Sequence, residues 1–246
     1  MKRIIIKNVW KKFEIGAKKR QNALERFIAL FSGKESRKQM WALKDISFNA
    51  EAGEIIGIIG ENGSGKSTLL RVIAGIYNTD KGIVKTNGKI SSLINLEAGM
   101  DPRLNARDNI YLCCSIMGLK NREIKEKFEE IISFAELQEF VNTKLYQFSL
   151  GMISRLAFSI MIHSAMHKKP EILLLDEIFT VGDEHYKNKC MEKIEEIMKS
   201  GATIIMVSHN LSRIKKHCKR IIWLNKGRII MDGREGVLDK YLKTSG

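Results

Sequence analysis

The residues with the clearest chemistry are Gly60-Glu61-Asn62-Gly63-Ser64-Gly65-Lys66-Ser67-Thr68. They match G-x-x-x-x-G-K-[ST]. The apolar run Ile55–Ile59 precedes them, and an apolar-periodic stretch (Leu69, Leu70, Val72, Ile73) follows. Strand, glycine-rich turn and helix in that order make a phosphate cradle. Gly60, Gly63 and Gly65 have no Cβ, so successive amide N–H groups can turn onto phosphate oxygens. A helix starting at Lys66 adds its positive dipole end. Lys66 is placed to hold β- and γ-phosphates and Ser67 to ligate Mg2+. Glu61, Asn62, Ser64 and Thr68 complete the contact set. A glycine-rich turn without a ligand is the plain alternative, and it leaves lysine, serine, strand and helix unexplained.

Three further sites fit that chemistry. Ile172-Leu173-Leu174-Leu175-Asp176-Glu177 is an apolar strand ending in two acids. Downstream of a phosphate loop, Asp176 reads as the carboxylate that holds Mg2+ and Glu177 as the base for an attacking water. Consecutive strand residues point to opposite sides, so the two acids can serve different partners. Thr203–Val207 is another buried strand, and it ends at Ser208-His209. A lone histidine is more often structural, but this one follows a core strand at the sheet edge where open α/β sheets bind ligands, and a γ-phosphate contact is expected. Ser149 precedes a long helical run, where it can act as an ordinary cap or open an anion site on free N–H groups.

The elements that must position these residues are legible as an alternation of strands and helices, which argues an α/β fold with a parallel core sheet. Strands are expected at Ile4–Val9, Ala42–Phe48, Ile55–Ile59, Ile172–Leu175, Thr203–Val207, Arg220–Leu224 and Arg228–Met231. Helices are expected at Tyr186–Met198 and Leu211–His217. Asn87-Gly88 suits a type I′ turn, so Val84–Ile90 reads as a hairpin. Residues 106–167 read as helical, with Asn105 or Asp108 as a cap, and suggest an inserted helical subdomain at about 100–168. Within a basic insert at 14–40, Leu24, Phe27, Ile28 and Phe31 fall on one face of a short helix.

The chain has 246 residues and a net charge of +14, with a pI near 9.6. Residues 1–45 hold thirteen Lys/Arg against four acids, so most of the excess charge sits in under a fifth of the chain. That balance excludes an acidic solvating tail and points to an anionic partner: nucleotide, nucleic acid or a lipid surface. The apolar stretches are far shorter than a membrane span, and the N-terminus has no signal-peptide pattern. Cys113, Cys114, Cys190 and Cys218 form no C-x-x-C pair and read as free thiols of a reducing compartment.

The order of these features resembles the ATPase subunits of ABC transporters over nearly all 246 residues: phosphate loop at 60–68, signature at 148–152, strand-plus-Glu at 172–177, aspartate turn at Thr180–Asp183, and His209. The resemblance implies an ABC-type nucleotide-binding domain of P-loop NTPase fold at 1–246, with an antiparallel β subdomain and an inserted helical subdomain. It also implies a head-to-tail homodimer that sandwiches ATP. In that pair Ser149 and Gly151 of one copy contact the γ-phosphate bound by the other, Asp183 lies at the interface, and Phe13 stacks on adenine. Two departures stand out. The signature Phe148-Ser149-Leu150-Gly151-Met152 has lost its first glycine and its glutamine. No glutamine lies between Gln39 and Gln138, so Asn95 or Glu97 is expected where that family carries a Mg2+-contacting glutamine.

The wording F-S-L-G-M, R-L-A-F-S at 155–159, V-G-D at 181–183 and W-A-L-K-D-I-S-F at 41–48 is similar to one branch, the exporters of bacterial surface polysaccharides: O-antigen, teichoic acid and capsule. Some members carry a C-terminal carbohydrate-binding domain, which a chain stopping at Gly246 is expected to lack. The branch implies ATP hydrolysis that powers export of a lipid-linked polysaccharide, most of all O-antigen. The implied partner is a polytopic transmembrane permease, with contact to the polymer indirect, at the cytoplasmic face of the inner membrane. No nucleic acid is expected. The basic insert has three readings: a solvated face, contact with permease or anionic headgroups, or nucleic-acid binding. A soluble ABC ATPase acting on nucleic acid is the competing class. About eighty residues between Ser67 and Ser149, without sustained heptads, and one cassette instead of two argue against it. An intact Glu177 argues against a regulatory module with little turnover.

Overall fold

The computed structural model describes residues 1–15, 38–94, 99–176, 184–208, 210–234 and 236–245. Two sheets lie back to back. The first is antiparallel, with β1 (Lys2–Ile15) between β2 (Lys38–Glu51) and β4 (Lys81–Thr86). The second has the order β5-β6-β7-β3-β8-β9, comprising β5 (Ile90–Leu93), β6 (Ile172–Asp176), β7 (Thr203–Val207), β3 (Ile55–Ile59), β8 (Arg220–Asn225) and β9 (Arg228–Gly233). Its pairs are parallel except β8 with β9, which is antiparallel. The helices are α1 (Lys66–Ile73), α2 (Ala106–Ile116), α3 (Asn121–Ala135), α4 (Leu150–Lys168), α5 (Glu184–Lys199), α6 (Leu211–His217) and α7 (Val237–Ser245).

The unbroken apolar runs of β3, β6 and β7 follow from burial on both faces. Leu173, Leu175, Ile204 and Met206 pack with α4, α5 and α6 on one side. Ile172, Leu174, Ile205 and Val207 pack on the other, with α1 and with Ile4, Ile6, Leu43 and Ile46 of the antiparallel sheet. A third cluster joins α2, α3 and α4. The middle of α4 is buried all round, because Leu156 and Ile160 face this helical layer while Phe158, Met161 and Ile162 face the core sheet. Among the described residues, no helix is long and apolar enough to cross a membrane.

The structure departs from the sequence reading at the Asn-Gly turn. Thr86 ends a strand of one sheet and Ile90 begins a strand of the other, so residues 87–89 are a crossing and not a hairpin. The Asn87 amide N–H donates to the Arg3 carbonyl at 2.8 Å and its side chain to the Lys2 carbonyl at 3.0 Å. The Lys89 carbonyl accepts from the amides of Glu171 and Ile172. Bonds to other strands on both sides outweigh the local turn preference. Strands β1 and β2 also run far past their apolar centres, in a bulged register that reaches Ile15 opposite Lys38. Helix α7 was not anticipated. The two ends of the 14–40 insert are strand, Glu14 and Ile15 in β1 and Lys38, Gln39 and Met40 in β2, while the short helix expected around Leu24–Phe31 lies outside the described residues.

All four cysteines are buried. Burial pushes the Cys113 thiol up to about 11 and those of Cys190 and Cys218 to about 12, and it raises Cys114. At pH 8 a thiol of pKa about 11 is only about one part in a thousand thiolate. A thiol-specific chromogenic disulfide is therefore expected to label the native chain at least about 100-fold more slowly than the urea-unfolded chain. A fast native phase would place a thiol at the surface.

Candidate functional site: a cationic cavity at the glycine-rich loop

The loop between β3 and α1 is wedged between two other strands. Gly60 has a φ of 149°, and the Leu224 carbonyl oxygen occupies the place a Cβ would need. Gly65, the N-cap of α1, has a φ of 107°, and its Cβ would stand 2.6 Å from the Ala42 carbonyl oxygen. A side chain at either position would lift the loop off β8 or β2. The turn between β8 and β9 fastens the loop, because Gly227 donates to the Ser64 carbonyl at 2.9 Å and accepts from the Lys44 amide at 2.7 Å.

Helix α1 has no side-chain cap bond and no acid in its first turn, so nothing within the helix neutralises its positive end. Lys66 is buried at 6% exposure. Its Nζ donates to the carbonyls of Gly60 at 2.8 Å and Glu61 at 2.9 Å. The ammonium is thus held at the helix mouth by oxygens of its own loop.

In front of the loop lies a cavity of about 680 Å3. Asn62, Gly63, Ser64, Gly65, Lys66, Ser67 and Thr68 line it, with Phe13, Met40, Trp41, Ala42 and Tyr77 on the side of the antiparallel sheet. Four cations, Lys44, Lys66, Arg71 and Lys226, line the cavity, and among the described residues no carboxylate does. That charge pattern, with donors at a helix N-terminus, suits a compact polyanion. The aromatic wall suits a flat ring. The Phe13 and Tyr77 rings lie 5.4 Å apart, edge to face, and the Arg71 guanidinium is 5.9 Å from the Tyr77 ring centre.

Gly60 and Glu61 are not among the lining residues; they reach the site through their carbonyls on Lys66. Asp176 ends β6 opposite Val207, and Val207 in turn pairs with Ile58 of β3. The sheet register therefore sets Asp176 on the same carboxyl edge as the glycine-rich loop, half-buried and outside the lining of the cavity. Ser149 caps α4, with its Oγ accepting from the Met152 amide at 3.2 Å. Ser149 and Gly151 are exposed and do not line this chain's cavity. A Cβ on Gly151 would meet only Ser149 Oγ within 4 Å, at 3.8 Å. Glu177, Asp183, His209, Asn95 and Glu97 lie outside the described residues.

Sequence reasoning missed Trp41, Lys44, Arg71, Tyr77 and Lys226. Arg71 carried a usable signal, since it falls four residues after Ser67 on the same helix face. Lys226 carried none, because only the pairing of β8 and β9 brings it to the loop.

A sequence model described as ABC transporter matches residues 43–180. The chain belongs to the ABC transporter family. Within that family it is an ATP-binding cassette with ATPase activity. It is 40% identical over 201 residues to the O-antigen export system ATP-binding protein RfbB of Klebsiella pneumoniae, covering 81% of this chain and 80% of that protein. It is 41% identical over 235 residues to the teichoic acids export ATP-binding protein TagH of Lactococcus lactis, covering 95% of this chain and 49% of that protein. The chain thus spans about half the length of that second relative. The ABC transporter fold is the same as that of the ATP-binding cassette MJ0796, solved as a post-hydrolysis dimer with ADP and Pi. The TM-score is 0.71 at 24% identity, over 94% of this chain and 98% of the other. A second solved ATP-binding subunit of an ABC transporter gives a TM-score of 0.74 at 19% identity, over 99% of this chain and 100% of the other.

Proposed function

We propose that this chain is the ATP-hydrolysing subunit of an exporter that moves a lipid-linked surface polysaccharide, O-antigen first, across the cytoplasmic membrane. The observation that carries the choice of cargo is the 40% identity to RfbB over most of both chains. The cavity supports the nucleotide assignment: four cations and a helix end without a side-chain cap face one space. In this reading Lys66 and the amides of residues 60–68 hold the β- and γ-phosphates, and Phe13 stacks on adenine.

The donor set also fits Mg2+. Ser67 supplies a hydroxyl and Asp176 a carboxylate, the hard oxygens this ion prefers. Among the described residues no group of three or more His, Cys, Asp or Glu could hold a metal. Ser67 and Asp176 would hold the ion together with the phosphates, where it would neutralise negative charge. Glu177 takes the proton of the attacking water, and His209 contacts the γ-phosphate.

A second copy of the chain completes each site. Ser149 and Gly151 cannot serve the cavity of their own chain, whose lining they do not join. They stand instead on an exposed helix end beside two exposed apolar side chains, Tyr146 at 64% and Leu150 at 79%. The second partner in this reading is a polytopic transmembrane permease, and the chain sits peripherally on the cytoplasmic face of the membrane.

Teichoic acid export is the second reading, favoured by the 41% identity to TagH over 95% of this chain. In the source cell, deletion of the gene is expected to remove the surface polymer and leave its lipid-linked form inside. The parent chain restores export and Lys66→Ala does not. The chemistry of the retained polymer separates O-antigen from teichoic acid. An unchanged surface polymer, together with salt-sensitive duplex binding by the purified chain, would overturn the exporter reading.

A further inference from the structure

Helix α4 and helix α5 are joined by a network that the reaction chemistry does not require. Glu136, just past the end of α3, bridges two cations: Oε2 to Arg155 of α4 at 3.0 Å and Oε1 to Lys189 of α5 at 3.0 Å. Lys189 Nζ also donates to the Phe134 carbonyl at 3.0 Å and lies 4.7 Å from the Phe134 ring centre. Tyr186 of α5, at 1% exposure, donates its hydroxyl to the Arg155 carbonyl at 3.0 Å. The Arg155 guanidinium sits 5.8 Å from the Tyr186 ring centre.

Backbone conformation shows that Glu136 is not a casual surface acid. It adopts a φ of 61° and ψ of 43°, a left-handed conformation that helix ends usually give to glycine. A glycine there would terminate α3 with less strain but would leave Arg155 and Lys189 without their common carboxylate.

The two tied helices have different allegiances. Arg155 lies fewer than two turns from Ser149, at the end of α4 that does not line this chain's own cavity. Tyr186 is buried in the same cluster as Leu175, the neighbour of Asp176. We propose that Glu136, Arg155, Tyr186 and Lys189 are positioning residues that tie the helix each copy lends to its partner's site to the strand that carries its own acid, so that the two sites of a dimer turn over together. The proposal rests on the dimeric reading above, and it names what links the sites in that dimer.

The test measures ATPase rate against ATP concentration for the purified chain, with Lys189→Met, Glu136→Gln and Lys189→Arg. The parent is expected to respond sigmoidally, with a Hill coefficient above 1 and below the ceiling of about 2 set by two sites. Lys189→Met and Glu136→Gln are expected to flatten the response to about 1 and lower the saturated rate by about 5-fold, with single-site ATP affinity unchanged. Lys189→Arg restores the slope. A role in packing alone would lower the thermal midpoint and the rate but leave the slope of the folded fraction intact. A parental slope in Lys189→Met and Glu136→Gln, or no rescue by arginine, would overturn the coupling while a dimer still forms with ATP in Glu177→Gln. A parent that is hyperbolic in ATP, and a Glu177→Gln chain that stays monomeric with ATP, would overturn the dimer and the coupling with it.

Discussion

Lys66→Ala is expected to weaken ATP binding by at least about 100-fold, read by calorimetry or by displacement of a fluorescent nucleotide. The side chain is a buried cation lining the cavity, and its Nζ donates to the Gly60 and Glu61 carbonyls. A preorganised charged donor removed from a phosphate site costs about 3–4 kcal/mol, and each 1.4 kcal/mol is about tenfold. Lys44, Arg71 and Lys226 remain, so a residual, salt-sensitive affinity should persist. The same change also strips donors from two loop carbonyls, which costs about 1–3 kcal/mol of stability. Thermal unfolding without nucleotide separates the two effects. An affinity within about 3-fold of the parent would show that Lys66 only braces its loop.

Glu177→Gln is expected to lower kcat by about 100-fold or more while leaving KM for ATP nearly unchanged, the range a general base contributes. Glutamine keeps the size of glutamate and cannot accept the proton of the attacking water. Bound ATP should then persist, and ATP-bound dimers should accumulate, which size-exclusion chromatography with and without nucleotide will read. A split in which KM rises and kcat holds would make Glu177 a binding residue instead of the base.

Much of the site was legible because its parts are contiguous. Residues 60–68 carry glycines, lysine and serine in one run, and Ile172–Asp176 announces a buried strand with an acid at its end. Ser149 as a cap followed from one residue type before an apolar helix. What stayed hidden is whatever tertiary pairing alone creates. Lys226 reaches the cavity through the turn of β8 and β9. Trp41 and Tyr77 look like ordinary core aromatics until the antiparallel sheet folds over the loop. The bonds of Glu136 to Arg155 and Lys189 join three helices and follow no periodicity. The Asn87-Gly88 pair misled because its local preference for a hairpin is worth less than the hydrogen bonds each flank makes to a different sheet.

The register of the first two strands has a wider consequence. Ile15 and Lys38 face each other as neighbours on paired strands, so the chain leaves the cassette and re-enters it at a single point. The same paired strands carry Phe13, Met40 and Trp41 to the cavity, so the ladder of β1 and β2 couples the point where the chain departs to the aromatic wall of the site.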